Sequence, residues 1–591
     1  MKRLFDIVEQ NAKQYPEEVI FGYKENGNWK KILYKDAFFQ IQNVATSLLN
    51  IMGLPSSYDE HHQHKIAIIS ENRPEWLLLD LAIQEASAII TPIYPTVSND
   101  DLKYILEEAN IKYIFVSNND IYNRFKKVIA NDSFKVFSFD QIEGVENWES
   151  LNVQHSSEEL LNLSKENITE DTVATIIYTS GTTGRPKGVI LTHKNIYSNV
   201  KVCAPIFHMA KPWEKSLSFL PLNHIFEKMV SYIYLKINLS IYYAESLETI
   251  GDNLREVQPV VFTCVPRVLE KVYEKIVAKG KELTGIKKKL FFWALNLAKK
   301  YDNHKDMGII YNLQLKLANK LIFSKWREAL GNKVIAIISG SAALNPDLIR
   351  IFTAANIVIM EGYGLTETSP VIAVNRYEND GRYFGTVGPL VDDVKVKIAP
   401  DGEILCSGPN VMKGYYKNDK ETESVFTEDG WFMTGDIGEF VQDKFLKITD
   451  RKKEIFKTSG GKYVAPQYIE NMYRNCDTIN QVMVVGNGKK YVGALVVPNW
   501  EYIAKQLNNN NPYTQSERNK LIHDEELRRF ILKDMETVNN KINHVEQVKQ
   551  IALIADEWTV DNGILTPKMS LKRKVAEHQF EKEINRIYEH S

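Results

Sequence analysis

A hydroxyl- and glycine-rich segment at residues 178–188 has the residue types needed to bind a polyphosphate. It reads Tyr-Thr-Ser-Gly-Thr-Thr-Gly-Arg-Pro-Lys-Gly and supplies four hydroxyls after the leading tyrosine, three glycines and two cations. Glycines let a backbone approach an anion closely, and hydroxyls, backbone N–H groups and cations bind phosphate oxygens. The glycine and lysine spacing differs from that of a Walker A loop. We interpret the segment as a phosphate-binding loop rather than an ordinary surface turn.

The sequence on either side of this loop indicates how it is positioned. Residues 173–178 are mostly β-branched and apolar, which predicts a buried strand, and residues 192–200 predict a helix. The loop should therefore follow the end of a strand, where α/β sheets bind nucleotides. Apolar strand-like runs alternate with helical runs between residues 65 and 339. This alternation predicts a doubly wound α/β architecture.

Five later segments add candidate site residues of different chemical types. They include an imidazole at a strand-to-helix junction, a small-residue turn after an apolar strand, and a tyrosine ring that can stack on a base. They also include carboxylates, which Mg²⁺ prefers as ligands. Four of them have an ordinary alternative, namely a buried imidazole, a common turn, a helix N-cap and a solvated basic helix. The segments are residues 219–227, 339–343, 361–368, 429–462 and 565–574.

Together with the loop, these segments resemble the motifs of the AMP-forming acyl-adenylate synthetases. This superfamily comprises acyl-CoA synthetases, peptide-synthetase adenylation domains and luciferases. The match is complete at Tyr363-Gly-Leu-Thr-Glu367. The segment Asp429-Gly-Trp-Phe-Met-Thr-Gly-Asp436, followed by Asp450-Arg-Lys-Lys-Glu, resembles the long-chain fatty acyl-CoA synthetases in particular. Motif order and spacing agree from about residue 5 to residue 580.

The resemblance implies nucleotide contacts for individual residues. The carboxylate of Asp436 would accept both ribose hydroxyls, the ring of Tyr363 would stack on adenine, and the phosphate loop would bind the β- and γ-phosphates. The expected ATP- or AMP-binding residues are Thr179, Ser180, Gly181, Thr182, Thr183, Gly184, Lys187, Ser341, Ala342, Glu361, Gly362, Tyr363, Gly364, Thr366, Asp436, Ile448 and Arg451.

The resemblance also implies catalytic, metal-binding and CoA-binding residues. Lys572 aligns best with the family's C-terminal catalytic lysine, although the usual turn residues around it are replaced and Lys574 is a nearby competitor. Lys453 falls at the expected hinge, where many relatives have an acidic residue. The expected catalytic residues are His224, Thr366, Glu367 and Lys572, the expected Mg²⁺ ligand is Glu367 with Thr183 as a second candidate, and the expected CoA path follows Ser459, Gly460, Gly461 and Lys462.

The implied fold is that of a multidomain α/β protein similar to acetyl-CoA synthetase. A large N-terminal AMP-binding domain, residues 1–449, would contain two doubly wound α/β subdomains and a small β-rich, barrel-like subdomain at about 380–449. A small mobile α+β domain would follow at residues 450–591 and end in a basic helix at 570–588. A basic helical insert at residues 271–327 would interrupt the N-terminal domain.

The activity that the resemblance implies is the ATP-dependent activation of a long-chain fatty acid. The fatty acid carboxylate would attack the α-phosphorus of ATP, expel pyrophosphate and form an acyl-adenylate, from which the CoA thiol would release AMP. ATP and CoA would be co-substrates, and Mg²⁺ would be the cofactor. Three alternatives stay open: a medium-chain or aryl acid substrate, acyl loading onto a carrier protein, and a non-catalytic acyl-nucleotide-binding protein.

Composition excludes several other classes of protein. The chain of 591 residues has a net charge of −2, which offers no electrostatic basis for nucleic-acid binding. Its four cysteines lack metal-ligand spacing, which predicts buried free thiols. No apolar run is long and clean enough for a signal peptide or a membrane span. We expect a cytoplasmic protein that is monomeric or homodimeric.

The insert at residues 271–327 is strongly basic. It contains fourteen Lys or Arg against four Asp or Glu, with apolar residues interleaved, as in residues 287–293. One interpretation is a solvated helical pair whose apolar face packs on the core. The other is a basic amphipathic surface that contacts the anionic inner surface of a membrane peripherally.

Overall fold

The computed structural model of the chain describes residues 3–152, 156–180, 185–452, 454–474, 476–507, 511–540, 542–559, 562–566 and 571–589. Within these residues the strands form two eight-stranded sheets and three smaller sheets. All four cysteines are buried and no disulfide joins them, as predicted. The helices of this described part include none that is long and apolar enough to cross a membrane.

The first sheet is parallel except at its two edges, where antiparallel strands are added. Parallel strands place their carboxyl ends on the same edge, so the turns that follow residues 339 and 364 lie side by side. In spatial order its strands are Val371–Val374, Val358–Gly364, Ala336–Ser339, Val261–Cys264, Lys215–Ser218, Ser240–Tyr243, Val19–Glu25 and Asn28–Leu33.

The second sheet contains the strands that flank the phosphate loop. Its strands are parallel from Val173–Ser180 to the far edge and antiparallel on the other side. In spatial order they are Gly414–Tyr415, Pro186–Thr192, Val173–Ser180, Ile89–Ile93, Lys65–Ile69, Tyr113–Val116, Lys135–Ser138 and Glu146–Asn147. The doubly wound plan predicted from the alternating pattern is confirmed for both large sheets.

The surroundings of the phosphate loop differ from the expected strand–loop–helix unit. The buried strand before the loop is confirmed, but Val173–Ser180 and Pro186–Thr192 form an antiparallel hairpin in which Thr179 pairs with Lys187. The predicted helix begins only at His193. The sequence prediction missed the second strand because Pro186 to Gly188 were assigned to the loop. The loop is therefore the tip of a hairpin, and Lys187 stands in its returning strand.

Helices cover both faces of the two large sheets. The helix Ile225–Lys236 is buried from its first residue to Leu235, so it forms part of the interior rather than an outer layer. Outside the insert, the α-helices up to residue 354 are Asp6–Gln14, Tyr34–Met52, Pro74–Glu85, Asn99–Glu108, Asn119–Ile129, Glu158–Asn167, His193–Cys203, Ile225–Lys236, Ile250–Val257 and Pro346–Ala354.

The basic insert is helical, as predicted. In Gly285–Lys300 the side chains of Phe291 and Leu295 are buried, so the apolar face of this helix packs on the core as the first interpretation requires. Its elements are the α-helices Pro266–Glu282, Gly285–Lys300, Gly308–Ala318 and Ser324–Ala329, with the π-helical turn Asn319–Phe323 between the last two.

The smaller sheets and the last helices occupy the C-terminal third of the chain. The β-rich unit is an antiparallel sheet of Lys395–Ile398, Glu403–Ser407, Phe432–Val441 and Phe445–Arg451, preceded along the chain by Val371–Val374 of the first sheet. Beyond it lie the pair Phe456–Lys457 and Tyr463–Val464 and the sheet Ile479–Val485, Val492–Pro498 and Val548–Leu553. The helices of this part are Asp419–Ser424, Pro466–Tyr473, Trp500–Gln506, Gln515–Leu521, Glu525–Asn539, Arg573–Gln579 and Glu581–Tyr588.

The basic helix predicted at residues 570–588 is two helices. The chain leaves helical geometry at Phe580, which ends Arg573–Gln579 and precedes Glu581–Tyr588. The sequence analysis did not predict this break, because Phe580 is neither a proline nor a glycine and gives no local signal for a helix end. The first of the two helices begins directly after Lys572, so the candidate lysine is the N-cap residue of that helix.

A buried ion pair links two helices of the N-terminal part. Lys228 Nζ lies 2.5 Å from Asp80 Oδ2, and both side chains are fully buried. Tyr232 Oη donates to the same carboxylate, and Gln84 Nε2 donates to its other oxygen at 2.9 Å. Satisfying both carboxylate oxygens makes the buried charge tolerable.

We predict that Lys228→Met destabilises the fold by about 3–5 kcal/mol, because Asp80 is left as an uncompensated buried charge. Urea denaturation measures the change. Lys194→Met is the matched control, since Lys194 and its partner Asp171 are exposed, and it should change stability by about 0–1 kcal/mol. Equal stability of Lys228→Met and the parent chain would contradict the assignment.

Candidate active site

One cavity of about 610 Å³ gathers ten of the predicted site residues. It lies between the two large sheets, and its polar wall comes from the turns at the carboxyl edge of the first sheet and from the hairpin of the second. From the set expected on sequence grounds, the cavity is lined by Thr179, His224, Ser341, Gly362, Tyr363, Gly364, Thr366, Glu367, Arg451 and Lys572. Residues that are up to 393 positions apart in the chain thus line the same cavity.

Asp436 is positioned by two side chains that line the cavity. Tyr363 Oη donates to Asp436 Oδ2 at 2.7 Å, and Arg451 Nε lies 3.3 Å from Oδ1. Burial raises the pKa of Asp436, while the charge of Arg451 and the tyrosine hydrogen bond oppose that shift. The Asp436 charge raises the pKa of Arg451 in turn. An ionised carboxylate held in this way can accept two further hydrogen bonds, as a ribose diol requires.

Glu367 and Lys187 are connected through a tyrosine that the sequence analysis missed. Tyr415 Oη donates to Glu367 Oε1 at 2.9 Å, and the Lys187 ammonium lies 5.4 Å from the centre of the Tyr415 ring. Tyr415 reaches this place because its short strand pairs with the strand of Lys187. The Lys187 ammonium is paired with the carboxylate of Glu421. A phosphate group would therefore have to replace Glu421 as the partner of Lys187.

His224 combines a structural contact with a place in the cavity wall. It stands at the N-cap of Ile225–Lys236, where its Nδ1 accepts the backbone N–H of Phe226 at 3.1 Å. Because Nδ1 accepts, the neutral ring carries its proton on Nε2. The same residue lines the cavity, so its observed capping contact and its predicted place in the site do not exclude each other.

Glu361 has a different environment from the one expected. It was predicted to contact the nucleotide, but its Oε1 accepts the backbone N–H of Leu344 at 2.9 Å, and it is absent from the cavity wall formed by the described residues. Burial raises its pKa to about 8. Its carboxyl group anchors the turn that contains Ser341, whose φ of 69° is left-handed. Glu361 thus supports this turn of the site without lining the cavity.

Close packing explains one glycine of the Tyr363 motif. A Cβ on Gly364 would lie 1.7 Å from the carbonyl oxygen of Pro370, so only glycine fits at this position. The strand Val358–Gly364 can then turn directly into Thr366 and Glu367. The motif therefore has a structural requirement in addition to its side-chain chemistry.

Lys572, not Lys574, reaches the cavity. Lys572 lines it together with Gly563 and Thr566 of the same C-terminal part, whereas Lys574 lies on a separate surface depression beside Val575. The backbone N–H of Lys572 donates to the carbonyl of Ile564 at 2.8 Å. The fold therefore separates two lysines that the sequence left as alternatives.

The residue after Lys572 fixes its segment to the rest of the C-terminal part. Arg573 Nη2 contacts Glu470 Oε1 at 2.7 Å, Nε lies 3.4 Å from Glu454 Oε2, and Nη1 donates to the carbonyl of Val484 at 2.8 Å. The carboxylates raise the pKa of Arg573 against the effect of burial. These contacts hold the lysine segment in place relative to residue 454, next to the expected hinge.

The remaining predicted residues do not line the cavity or are not described. The side chain of Ser180, the residues Gly181, Thr182, Thr183 and Gly184, and Lys453 lie outside the described residues. Asp436, Ala342, Ile448 and Lys187 are described but are not part of its wall, although Asp436 contacts two residues that are. The expected CoA-path residues Ser459, Gly460, Gly461 and Lys462 form an exposed turn between Phe456–Lys457 and Tyr463–Val464, away from the cavity wall of the described residues.

The cavity continues into an apolar part that the sequence analysis did not predict. Two helices and the turn between residues 203 and 208 supply its walls. Its apolar lining includes Cys203, Ile206, Phe207, Met229, Val230, Ile233 and Val374. Only the apolar run after His224 could have indicated this wall. Apolar residues occur on all sides of that helix, so the sequence does not show which side faces a cavity.

Comparison with models of known protein families shows which family the chain belongs to. The model of the AMP-binding enzyme family matches residues 8–416, and the model of the AMP-binding enzyme C-terminal domain matches residues 453–591. The chain belongs to the AMP-binding enzyme family. The motif resemblance on which the sequence analysis depended is confirmed.

The relatives of this AMP-binding enzyme include fatty acid–CoA ligases along its whole length. It is 31% identical to the long-chain-fatty-acid–CoA ligase FadD15 of Mycobacterium bovis, covering 98% of this chain and 96% of the relative. It is 31% identical to long-chain-fatty-acid–CoA ligase 5 of Rattus norvegicus, covering 100% and 89%. These matches place it in the long-chain acyl-CoA synthetase subfamily.

Solved structures confirm the acetyl-CoA synthetase-like fold class. The A domain of carboxylic acid reductase from Segniliparus rugosus, solved with AMP and a co-purified carboxylic acid, aligns with a TM-score of 0.73 at 20% identity and covers 99% of this chain and 94% of that chain. ATP-bound MatB from Rhodopseudomonas palustris aligns with a TM-score of 0.71 at 20% identity, covering 98% and 99%.

We predict that Asp436→Asn raises the Kd of the AMP-binding enzyme for ATP by about 10- to 100-fold, because hydrogen bonds to an ionised acceptor contribute about 1.5–3 kcal/mol. Isothermal titration calorimetry measures the change. Asp429→Asn in the same segment is the control, since Asp429 is exposed and pairs with Lys397 on the surface. Unchanged ATP affinity of Asp436→Asn would remove Asp436 from the nucleotide site.

We also predict that Glu421→Gln lowers the Kd for ATP by about two- to fivefold, because Lys187 no longer has to leave an ionised partner before it binds phosphate. Glu423→Gln, an exposed position on the same helix, should leave the Kd unchanged. A raised or unaltered Kd in Glu421→Gln would show that the Lys187–Glu421 pair does not compete with phosphate.

Proposed function

We propose that this chain activates a long-chain fatty acid to its CoA thioester through an acyl-adenylate. The observation that carries the proposal is the single cavity in which the C-terminal Lys572 meets Thr366 and Glu367 and which continues between apolar helices. A fatty acid needs a polar end and an apolar extension of this kind. The identity to fatty acid–CoA ligases over 98–100% of the chain supports the same reaction.

The first half-reaction brings two anions together. The fatty acid carboxylate attacks the α-phosphorus of ATP, a new carboxylate–phosphorus bond forms, and pyrophosphate departs with the electron pair of the broken P–O bond. Lys572 and Thr366 would address the α-phosphate and the carboxylate, and Lys187 the outer phosphates. Catalysis is then positioning and charge stabilisation, so no side-chain nucleophile is needed.

The nucleoside part of ATP would occupy the side of the cavity near Tyr363. The Tyr363 ring would stack on adenine beside the turn of Ser341, and Asp436, held by Arg451, would accept the ribose hydroxyls. Ser180 and the segment Gly181, Thr182, Thr183 and Gly184, which connects the two strands of the hairpin along the chain, would bind the phosphates. The contacts among Tyr363, Asp436 and Arg451 support this arrangement.

Glu367 is the residue that would hold Mg²⁺. Its carboxylate faces the cavity, and carboxylate oxygens suit this ion. In nucleotide-dependent enzymes Mg²⁺ is usually held by one or two carboxylates together with substrate phosphates. When bound, Mg²⁺ would neutralise phosphate charge.

The second half-reaction would require a different placement of the C-terminal domain, residues 450–591. The CoA thiol attacks the acyl carbon, and AMP leaves. In the present arrangement Lys572 is in the cavity and the turn of Ser459 to Lys462 is exposed. Rotation about residues 450–453 would withdraw Lys572 and bring this turn toward the acyl-adenylate.

The main alternatives keep the same cavity and change its substrates. One assay, which measures AMP release, separates three alternatives: a medium-chain or aryl acid substrate, acyl loading onto a carrier protein, and a non-catalytic binding role. AMP release with palmitate should depend on CoA, and a panel of acids from hexanoate to C20 should favour the long chains. AMP release that ignores CoA, or no release with any acid, would contradict the proposal.

We predict that Lys572→Ala slows acyl-adenylate formation by about 10²–10³-fold, the usual cost of losing one preorganised charge donor, and largely spares thioester formation from preformed acyl-adenylate. Palmitate-dependent ATP–pyrophosphate exchange and single-turnover thioester formation measure the two steps.

Lys574→Ala is the matched control for this variant and should keep both rates. Normal exchange by Lys572→Ala, or an equal loss in Lys574→Ala, would contradict the assignment of Lys572.

A further inference from the structure

Tyr415 contacts two residues of the proposed ATP site without lining the cavity itself. Its hydroxyl donates to Glu367 Oε1 at 2.9 Å, and the centre of its ring lies 5.4 Å from the Lys187 ammonium. Tyr415 is 7% exposed and is absent from the cavity wall formed by the described residues. It can therefore influence substrates only through the residues that it contacts.

The hydroxyl of Tyr415 restrains one oxygen of Glu367. Among the described residues it is the only hydrogen-bond donor to this carboxylate, and Oε2 accepts no hydrogen bond from them. Because Glu367 lines the cavity, Oε2 is available to a cation there. A carboxylate that is already held in one orientation loses less conformational freedom on binding a metal ion than a mobile one.

The ring of Tyr415 restrains Lys187 in a different way from Glu421. An ammonium group within about 6 Å of an aromatic ring centre is attracted to the face of the ring. The carboxylate of Glu421 pairs with the same ammonium and would have to give way to a phosphate. A neutral ring does not compete with an anion in this way, so Tyr415 can keep Lys187 in place while a phosphate replaces Glu421.

The backbone holds Tyr415 in position independently of its hydroxyl. Its strand, Gly414–Tyr415, pairs with the strand that contains Lys187. Three residues earlier, the backbone N–H of Met412 donates to the carbonyl of Glu367 at 2.8 Å. The segment is thus bonded both to the backbone of Glu367 and to the strand of Lys187. Loss of the hydroxyl alone should leave this framework intact.

We propose that Tyr415 is a positioning residue that aligns Glu367, the expected Mg²⁺ ligand, with Lys187, which would bind the outer phosphates. This inference rests on the proposed function, because it needs ATP and Mg²⁺ in this site. It assigns no chemical step to Tyr415. In a purely structural role, the tyrosine would fill space beside the hairpin and would not change how strongly Mg²⁺ promotes ATP binding.

The Mg²⁺ dependence of ATP binding tests the inference without catalysis. Isothermal titration calorimetry gives the Kd for ATP in EDTA and in excess Mg²⁺, and the ratio of the first to the second measures how much Mg²⁺ strengthens binding. Tyr415→Phe removes the hydroxyl and keeps the ring. It should lower this ratio by about five- to tenfold, as expected for the loss of a hydrogen bond to a charged acceptor, and leave the Kd in EDTA close to that of the parent.

Two further variants separate the contributions of the hydroxyl and the ring. Tyr416→Phe is the matched control, since Tyr416 is also buried but its ring stacks on that of His61, and it should keep the parent's ratio. Tyr415→Leu removes the ring as well, so it should also raise the Kd in EDTA, where Lys187 acts without the metal ion. Thermal unfolding shows whether each variant is folded.

A double-mutant cycle distinguishes positioning from a structural effect. If Tyr415 acts through the carboxylate of Glu367, Tyr415→Phe should leave the ratio unchanged in a Glu367→Gln background, where the charged ligand is already lost. A structural defect would lower ATP binding equally in both backgrounds.

Three results would overturn the inference alone, in a parent protein that binds ATP and shows palmitate-dependent pyrophosphate exchange. They are an unchanged ratio in Tyr415→Phe, an equal fall in Tyr416→Phe, and an effect of Tyr415→Phe that persists beside Glu367→Gln. A parent protein that does not bind ATP would overturn the proposed function together with the inference.

Discussion

Electrostatic repulsion between two anions is the constraint on which the site depends. A fatty acid carboxylate and a nucleotide α-phosphate approach each other only where fixed positive charge and hydrogen-bond donors offset their repulsion. The fold meets this constraint by placing Lys572, from the C-terminal part, in the same cavity as Thr366 and Glu367 of the N-terminal part. The apolar helices behind this polar wall exclude water, and a lower local dielectric strengthens each charge interaction.

The groups that address the anions are themselves restrained by other charges. Lys187 is paired with Glu421, Arg451 with Asp436, and Arg573, next to Lys572, with Glu470. Lys187 and Arg573 are largely buried outside the cavity wall, and their carboxylate partners offset the loss of hydration of each cation. A phosphate that replaced Glu421 beside Lys187 would exchange one anionic partner for another, which would cost less than desolvating a free ammonium group. The same contacts keep the donors close to their working positions.

The sequence predicted the polar chemistry of the site better than its geometry. Short motifs such as Tyr363-Gly-Leu-Thr-Glu367 are local, and their residue types reflect the ligand directly, so most of their members line the cavity. The contact of Tyr363 with Asp436 joins residues 73 positions apart and depends on how two sheets pack. Glu361 was placed with the nucleotide by its motif, but its burial behind a turn depends on the neighbouring strand.

Tyr415, the hairpin strand at Pro186–Thr192 and the apolar wall were missed for related reasons. Each owes its role to pairing or packing across the fold, and none has a distinctive local pattern. The choice between Lys572 and Lys574 also needed the structure, because the helix that begins at Arg573 turns the second lysine to another surface. The two doubly wound sheets were predictable, because alternation of strands and helices along the chain is a local pattern.

The most direct test of the account is exchange of labelled pyrophosphate into ATP by the purified protein with Mg²⁺ and palmitate, in the absence of CoA. The account predicts exchange that depends on palmitate, because the carboxylate and the α-phosphate then react reversibly in the cavity. No palmitate-dependent exchange from a protein that binds ATP would contradict the central claim that this cavity joins the two anions.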